Sequence, residues 1–302
     1  MSGSVTAVAP AKINLQLGVG PARPDGYHTL ATVYQAIDLY DEVTVATAAS
    51  TTLTVVGEGV DPSGVPTDSS NLALRAAALL AEHAGVDEPV AVSIRKRIPV
   101  MGGMAGGSAD AAATLLACDA LWRLDTPQEE LLSLAGQLGS DVPFCLVGQT
   151  AAGSGRGELV APVDDAGTYW WVVALSDTGL STPAVFAEFD RRHAGTVVAE
   201  PEVSATLVEA LAAGDARALG GALLNDLQAP ALSLRPDLAG LLDLGGRPPA
   251  LGSLLSGSGP TCLFLAGDEA DATKIRDVLH DAGTTALVVR GPVPGARVVG
   301  PL

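Results

Sequence analysis

The chain has 302 residues, 48% of them hydrophobic, and a formal net charge of −17 from 34 acidic against 17 basic side chains. That length accommodates two domains or one large one, and that apolar content buries a sizeable core, which excludes global disorder. The acidic balance excludes general attraction to nucleic acid or anionic membranes, so a phosphate-bearing ligand needs a local device: a helix N-terminus, a few placed cations or a metal ion.

In chain order, residues 5–17 alternate loosely and predict a strand, and 40–46 and 51–56 predict two more. Residues 62–70 read as a loop. Leu72, Ala76, Leu79 and Leu80 recur at helical spacing through 71–84, with Ser70 placed to cap the start and Gly85 the end. A strand at 90–94 is followed by a glycine-rich loop at 99–107 and an alanine-rich helix at 108–122. Thr126-Pro127-Gln128-Glu129 has the form of a capping box with Pro at the first helical position, opening a helix to about residue 138. Residues 153–167, rich in Gly and Asp, predict a linker. A buried strand at 169–175 precedes helices near 203–213, 215–224 and 236–244, and the end reads strand 261–265, helix 269–282, strand 285–289. Strands and helices mix without strict alternation, which predicts an α+β fold over a doubly wound sheet.

Cys118, Cys145 and Cys262 are widely spaced in apolar runs and read as buried free thiols of a reducing compartment. His28, His83, His193 and His280 are scattered, and no residue is assigned as a metal ligand. No basic leader precedes an apolar run, and the longest apolar stretches are too short to span a bilayer, so the expectation is a soluble, cytoplasmic protein. Lys12, Lys96 and Lys274 are the only lysines. In so arginine-biased a chain, where Arg would serve most surface roles, each merits attention.

Five segments carry chemistry. In Pro99-Val100-Met101-Gly102-Gly103-Met104-Ala105-Gly106-Gly107-Ser108-Ala109-Asp110, glycines admit close backbone approach and the following helix offers free N–H groups, a phosphate cradle that needs no side-chain cation. Gly102 and Gly107 have P-loop spacing, but Ser108 follows in place of Lys, which excludes that motif. The bland reading is a tight strand-to-helix turn. In Pro10-Ala11-Lys12-Ile13-Asn14-Leu15, Lys12 and Asn14 share one face of a strand, either a solvent-facing edge or a polar pair in need of a partner. Arg23-Pro24-Asp25-Gly26-Tyr27-His28 is a turn followed by an aromatic and a histidine, either plain surface or a grip on a planar ligand. In Gly139-Ser140-Asp141-Val142-Pro143, Asp141 is either an N-cap or a carboxylate that accepts a hydroxyl proton. Ser256-Gly257-Ser258-Gly259-Pro260 is either a β-turn or a second ligand loop.

Together, at this order and spacing, these segments resemble the GHMP kinases (galactokinase, homoserine, mevalonate and phosphomevalonate kinases). Asp25-Gly26-Tyr27-His28-Thr29-Leu30, Gly139–Phe144 and Ser181-Thr182-Pro183-Ala184-Val185-Phe186 resemble the branch whose acceptor is 4-diphosphocytidyl-2-C-methyl-D-erythritol, in the non-mevalonate isoprenoid route. The resemblance implies a two-domain fold: an N-terminal half, 1–161, like the second domain of ribosomal protein S5, and a C-terminal half, 162–302, with a ferredoxin-like split βαβ. It implies ATP and Mg²⁺, a monomer or weak homodimer, and no nucleic-acid or membrane partner. It implies Asp141 as general base and Lys12 beside it. Asn14 would fix the acceptor, Tyr27 and Phe186 would sandwich the cytosine, and His28 would bond its edge. Gly102, Gly103, Gly106, Gly107 and Ser108 would hold the triphosphate, Asn71 and Lys96 the nucleoside end, and Gly257 and Gly259 would close on the phosphates. Two departures stand out: Gly103-Met104-Ala105 where the family has Gly-Leu-Gly, and Asp110 where a small or amide residue is common. The rivals are a family member with another acceptor, against which Tyr27, His28 and Phe186 argue, and an inactive sensor of the same ligands, against which the presence of Lys12 and Asp141 argues.

Overall fold

The computed structural model describes residues 3–100, 102–176 and 178–300. Met101, inside the glycine-rich loop, lies outside them. The chain opens on a long hairpin, β1 (Ser4–Ala22) and β2 (His28–Thr47). Its turn is the expected one: Gly26 takes φ +83° and Asp25 Oδ1 accepts a hydrogen bond from Tyr27 N at 3.1 Å. The first half of β2 was not predicted. Residues 31–37 are buried on both faces, so the period-two signal of a half-exposed strand is missing.

β3 (Thr52–Gly57), α1 (Leu72–Ala84) and β4 (Val90–Lys96) follow, with β3 and β4 parallel across the helical crossover. The residue that caps α1 is Asn71, one position later than expected. Its Oδ1 accepts from Ala73 N at 2.8 Å, while Ser70 turns back to Asp68. Gly85 ends the helix in the left-handed conformation, as expected.

α2 (Gly106–Trp122) starts two residues before the expected Ser108 and buries alanines on nearly every side. Small side chains let it pack closely against β1, β2 and α1 as the central helix. α3 (Gln128–Leu138) lacks the expected capping box: Pro127 occupies the N-cap position, and Asp119 rather than a helix residue takes Thr126 N. α4 (Val142–Val147) is one short turn and a half. The expected linker is instead a hairpin, β5 (Thr150–Ser154) and β6 (Leu159–Pro162), with β5 laid along β2. Gly155 and Gly157, both at positive φ, serve the tight turn at 155–158, while Asp164 and Asp165 lie beyond β6.

The remainder comprises β7 (Tyr169–Ala174), α5 (Thr182–Arg192), α6 (Ala205–Ala213), α7 (Ala216–Ala222), β8 (Leu224–Asn225), α8 (Gln228–Leu234), α9 (Asp237–Gly245), β9 (Gly252–Leu255), β10 (Cys262–Ala266), α10 (Glu269–Asp281), β11 (Ala286–Gly291) and β12 (Arg297–Val299). One sheet runs β12-β1-β2-β4-β3, with β5 on β2, β6 on β5 and β8 on β1; the other runs β11-β7-β10-β9. In its own numbering the second sheet has the order 4-1-3-2 of a split βαβ arrangement, which gives the α+β fold expected. β8 and β12 both return to β1, and Asn225 of β8 donates Nδ2 to Leu255 O and Gly257 O at 2.7 and 2.8 Å, which holds the glycine loop at 256–261 next to the N-terminal hairpin. The three cysteines are buried and free. No helix among the described residues is long and apolar enough to cross a membrane.

Candidate active site

Two cavities meet at the loop between β4 and α2. The first, about 330 Å³, is lined by Gly102, Gly103, Gly106, Gly107, Asn71, Lys96 and Asp110 among others. Ala105 stands at the N-cap of α2 with no side-chain cap, which leaves the N–H groups of the first turn unclaimed by side chains at the positive end of a 17-residue helix. That is an anion site made of backbone alone.

Among the described residues of the loop, the left-handed ones are Gly103 (φ +70°) and Ala105 (φ +60°), whereas Gly106 and Gly107 are helical. Gly103 has no room for a side chain: a Cβ there would lie 3.0 Å from Gly259 O and 3.2 Å from Ser256 O. A Cβ on Gly106 would press on Ile98 and on Lys96 Nζ at 3.1 Å, while one on Gly107 would meet only Leu72, at 3.6 Å. Gly259 therefore backs the loop and lines neither cavity, and Ser108 also lies off both linings.

The two residues expected at the nucleoside end have committed side chains. Asn71 caps α1 and donates Nδ2 to Pro66 O at 2.7 Å. Lys96 Nζ lies between Asp41 and Asp110 (2.8 Å), all three nearly fully buried. They shape the wall of the cavity rather than offer free groups to it. One ammonium faces two carboxyls, and the two are not equivalent. Asp41 Oδ1 also accepts from the backbone N–H of Arg97 and Ile98, at 2.6 and 2.9 Å, whereas Asp110 Oδ1 has no partner among the described residues. Burial pushes Asp110 up to about 8; Lys96 pulls against that shift and Asp41 adds to it.

A carboxyl raised in the folded state binds more protons folded than unfolded, so its cost to stability grows from near pH 4 up to about pH 8 and then levels. Asp110→Asn keeps the shape and removes that cost. Its melting temperature is expected to exceed wild type by about a few degrees near pH 8 and to converge on it near pH 4. A difference independent of pH across that range contradicts a protonated Asp110.

The second cavity, about 370 Å³, lies on the other side of the same loop, and Gly103 and Ala105 line both. Lys12 and Asn14 enter it from one face of β1, as their spacing predicts. They are 5% and 2% exposed, which rules out the solvent-edge reading. Lys12 Nζ donates to Asn14 Oδ1 at 2.8 Å and lies 3.7 Å from Asp141 Oδ2. Asn14 Nδ2 donates to Thr32 Oγ1 at 2.8 Å, and Thr32 donates on to Gln16 O at 2.6 Å. This chain of donors fixes the amide so that its oxygen faces the ammonium. Asp141 precedes α4 without making a side-chain capping bond, so the N-cap reading does not account for it. Gly257 (φ +57°) closes the cavity; a Cβ there would lie 3.4 Å from Asn14 Oδ1.

Tyr27, His28 and Phe186 come together at the far end of this cavity and line an adjoining one of about 430 Å³. It is His28, not Tyr27, that stacks on Phe186, with ring centroids 5.0 Å apart and planes at 27°. Tyr27 is half exposed and carries the Arg156 guanidinium 4.8 Å from its ring centre.

Sequence reasoning passed over four residues here: Tyr34, Arg156, Thr182 and Asp190. Tyr34 lies beneath Lys12, with Nζ 5.4 Å from its ring centre; burial, then Asp141, holds its phenol well above the ordinary range and therefore protonated. Tyr34 falls in the unpredicted half of β2, Arg156 in the supposed linker, and Asp190 on a helix that was not predicted. Thr182 lies in the Ser181–Phe186 segment, and its hydroxyl meets Ser258 Oγ at 2.8 Å.

Comparison with known proteins matches residues 71–149 to the GHMP kinases N terminal domain and 207–285 to the GHMP kinases C terminal domain. The 4-diphosphocytidyl-2-C-methyl-D-erythritol kinase of Thermobifida fusca is 55% identical, with 98% of each chain covered; that of Streptomyces avermitilis is 52% identical, over 98% of this chain and 100% of the relative. A crystal structure of 4-(cytidine 5'-diphospho)-2C-methyl-D-erythritol kinase superposes with a TM-score of 0.78 at 32% identity, covering 98% of this chain and 100% of the other. A homoserine kinase from Cytophaga hutchinsonii, 18% identical with a TM-score of 0.74 over 98% and 97% of the two chains, shares the fold.

Proposed function

The chain belongs to the GHMP kinases, and from that premise we propose that it transfers the γ-phosphoryl group of ATP to the 2-hydroxyl of 4-diphosphocytidyl-2-C-methyl-D-erythritol, with the residues below in the roles given. The observation that carries this reading is the junction of two cavities at Gly103 and Ala105, a backbone phosphate cradle on one side and the Lys12–Asp141 pair on the other. Family members use ATP as donor. Phosphoryl transfer needs positioning and charge neutralisation more than covalent chemistry, and a helix N-terminus with one lysine supplies both inside an acidic protein.

In this reading the triphosphate lies on the first turn of α2, with its γ-phosphate toward Lys12. Asp141 accepts the proton of the acceptor hydroxyl as its oxygen attacks the γ-phosphorus and ADP leaves; Lys12, 3.7 Å from that carboxylate, balances charge gathering on the transferring group. Asn14 and Tyr34 hold the ammonium in place. Mg²⁺ would enter with ATP rather than sit in a dedicated protein cage, and the chemistry it would supply is neutralisation of phosphate charge beside the first turn of α2 and Lys12.

The aromatic end of the acceptor cavity would take the cytosine, with Tyr27 and the His28–Phe186 stack as its walls. Base–aromatic contacts contribute about 1–3 kcal/mol each, and binding energy gained there also positions the hydroxyl. Methylerythritol 4-phosphate, which lacks the cytidine, is therefore expected to lose about a hundredfold or more in kcat/KM, with kcat falling as well. Comparable kcat/KM values for the two acceptors would remove the cytidine clamp from the reading.

A further inference from the structure

His28 lines both the acceptor cavity and its aromatic extension, and its ring is held in part by Asp190 and Phe189, which the mechanism does not use. Its Nε2 meets Asp190 Oδ1 at 2.8 Å, its face lies on Phe186, and its edge meets Phe189 with centroids 5.9 Å apart. The imidazole is 7% exposed, whereas about half of the Asp190 side chain is in solvent. Nδ1 makes no hydrogen bond to any described residue.

A carboxylate accepts and cannot donate, so the nitrogen facing it must carry the proton. In the neutral ring the other nitrogen is then a bare acceptor. Stacking on Phe186 and the bond to Asp190 fix where that acceptor points.

We infer that Asp190 is a positioning residue that locks His28 in the Nε2–H tautomer, so that Nδ1 accepts a hydrogen bond from the exocyclic amine of the acceptor's cytosine. The inference rests on the proposed acceptor and adds the atom that reads its base. Cytosine and uracil differ at two neighbouring edge positions. At position 4 cytosine donates and uracil accepts, and at position 3 the order is reversed. A single imidazole acceptor that serves a cytidyl substrate must therefore face position 4, where the uracil oxygen would meet a lone pair. Discrimination of this kind arises because the wrong base leaves a desolvated polar group unpaired. In this inference Asp190 acts through His28, whose Nε2 it holds.

The test pairs base preference with a direct view of the tautomer. Wild type, Asp190→Asn and Asp190→Ala are assayed with 4-diphosphocytidyl-2-C-methyl-D-erythritol and with its uridine analogue. Wild type is expected to favour the cytidine compound by about 10–100-fold in kcat/KM, as one well-placed base-edge contact does. In Asp190→Asn the amide can present either its oxygen or its NH₂ to Nε2, so both tautomers form. The preference should fall at least about fivefold in this variant, mainly through KM for the cytidine compound. Nitrogen-15 NMR of the ligand-free protein should show Nε2 protonated and Nδ1 bare in wild type, and a mixture in Asp190→Asn. If the pair served only to pin α5 to the β1–β2 hairpin, both variants would lower the melting temperature and leave the base preference unchanged. That result, an absent preference in wild type, or a protonated Nδ1 overturns the inference while leaving the kinase reading intact. No turnover with either compound overturns the kinase reading and this inference together.

Discussion

Asp141→Asn is expected to lower kcat by about 10²–10⁴-fold, the usual cost of removing a general base, while ATP still binds. The geometry separates this outcome from its bland alternative. Asp141 stands at the N-terminal boundary of α4, where a carboxylate commonly caps, but it makes no side-chain cap bond. Its neighbour is Lys12 Nζ at 3.7 Å, in a cavity that also contains Asn14 and Tyr34. An amide of the same shape keeps the packing and loses the proton acceptor. The nucleotide cradle on the other side of Gly103 is untouched, so calorimetric ATP affinity should stay within about threefold of wild type. A variant that keeps more than about a third of wild-type kcat would remove Asp141 from the role, since no general base loses so little.

Lys12→Met should be nearly as severe, with kcat down about 10²–10³-fold and little change in KM, because the ammonium's contribution grows as charge moves onto the transferring group. Met approximates the length and apolar stem of Lys, so the buried channel beside Tyr34 stays filled. The substitution also strips Asp141 of its cation and leaves the Asn14 amide oxygen without its donor. Stability can therefore move either way, and the kinetic split is the readout. A tenfold rise in KM at unchanged kcat would make Lys12 a binding residue instead.

How far these groups could be foreseen depends on how local their signal is. Lys12 and Asn14 were legible because a strand repeats every two residues, so two polar residues at that spacing among apolar neighbours must share a face. The phosphate cradle was legible from glycines opening an alanine-rich helix. Which of them bend was not: among the described residues the left-handed positions are Gly103 and Ala105, and the carbonyls of Ser256 and Gly259, more than 150 residues away, leave no room for a side chain at Gly103.

Tyr34 stayed hidden because a strand buried on both faces loses its alternation. α5 and α8 carry Pro183 and Pro230 in their first turns and are short, so their periodicity is weak. Strands of two or three residues such as β8 and β12 have no local signature, and β8 is what ties the second glycine loop to the first sheet, through Asn225. The Asp41–Lys96–Asp110 cluster joins two strands and a helix; the scarcity of lysine and the family resemblance pointed to Lys96, but not to its two carboxyl partners. The odd carboxyl at Asp110 was visible as a departure, but not the fact that it shares Lys96 with Asp41.

The central claim is that one cleft brings ATP to the hydroxyl of a cytidyl acceptor, and ADP release under one set of conditions tests it most directly. With 4-diphosphocytidyl-2-C-methyl-D-erythritol, ADP should form in step with acceptor consumed, and with mevalonate or homoserine it should stay at the background of acceptor-free enzyme. Equal or faster release with mevalonate or homoserine, or none with the cytidyl compound, would contradict the account.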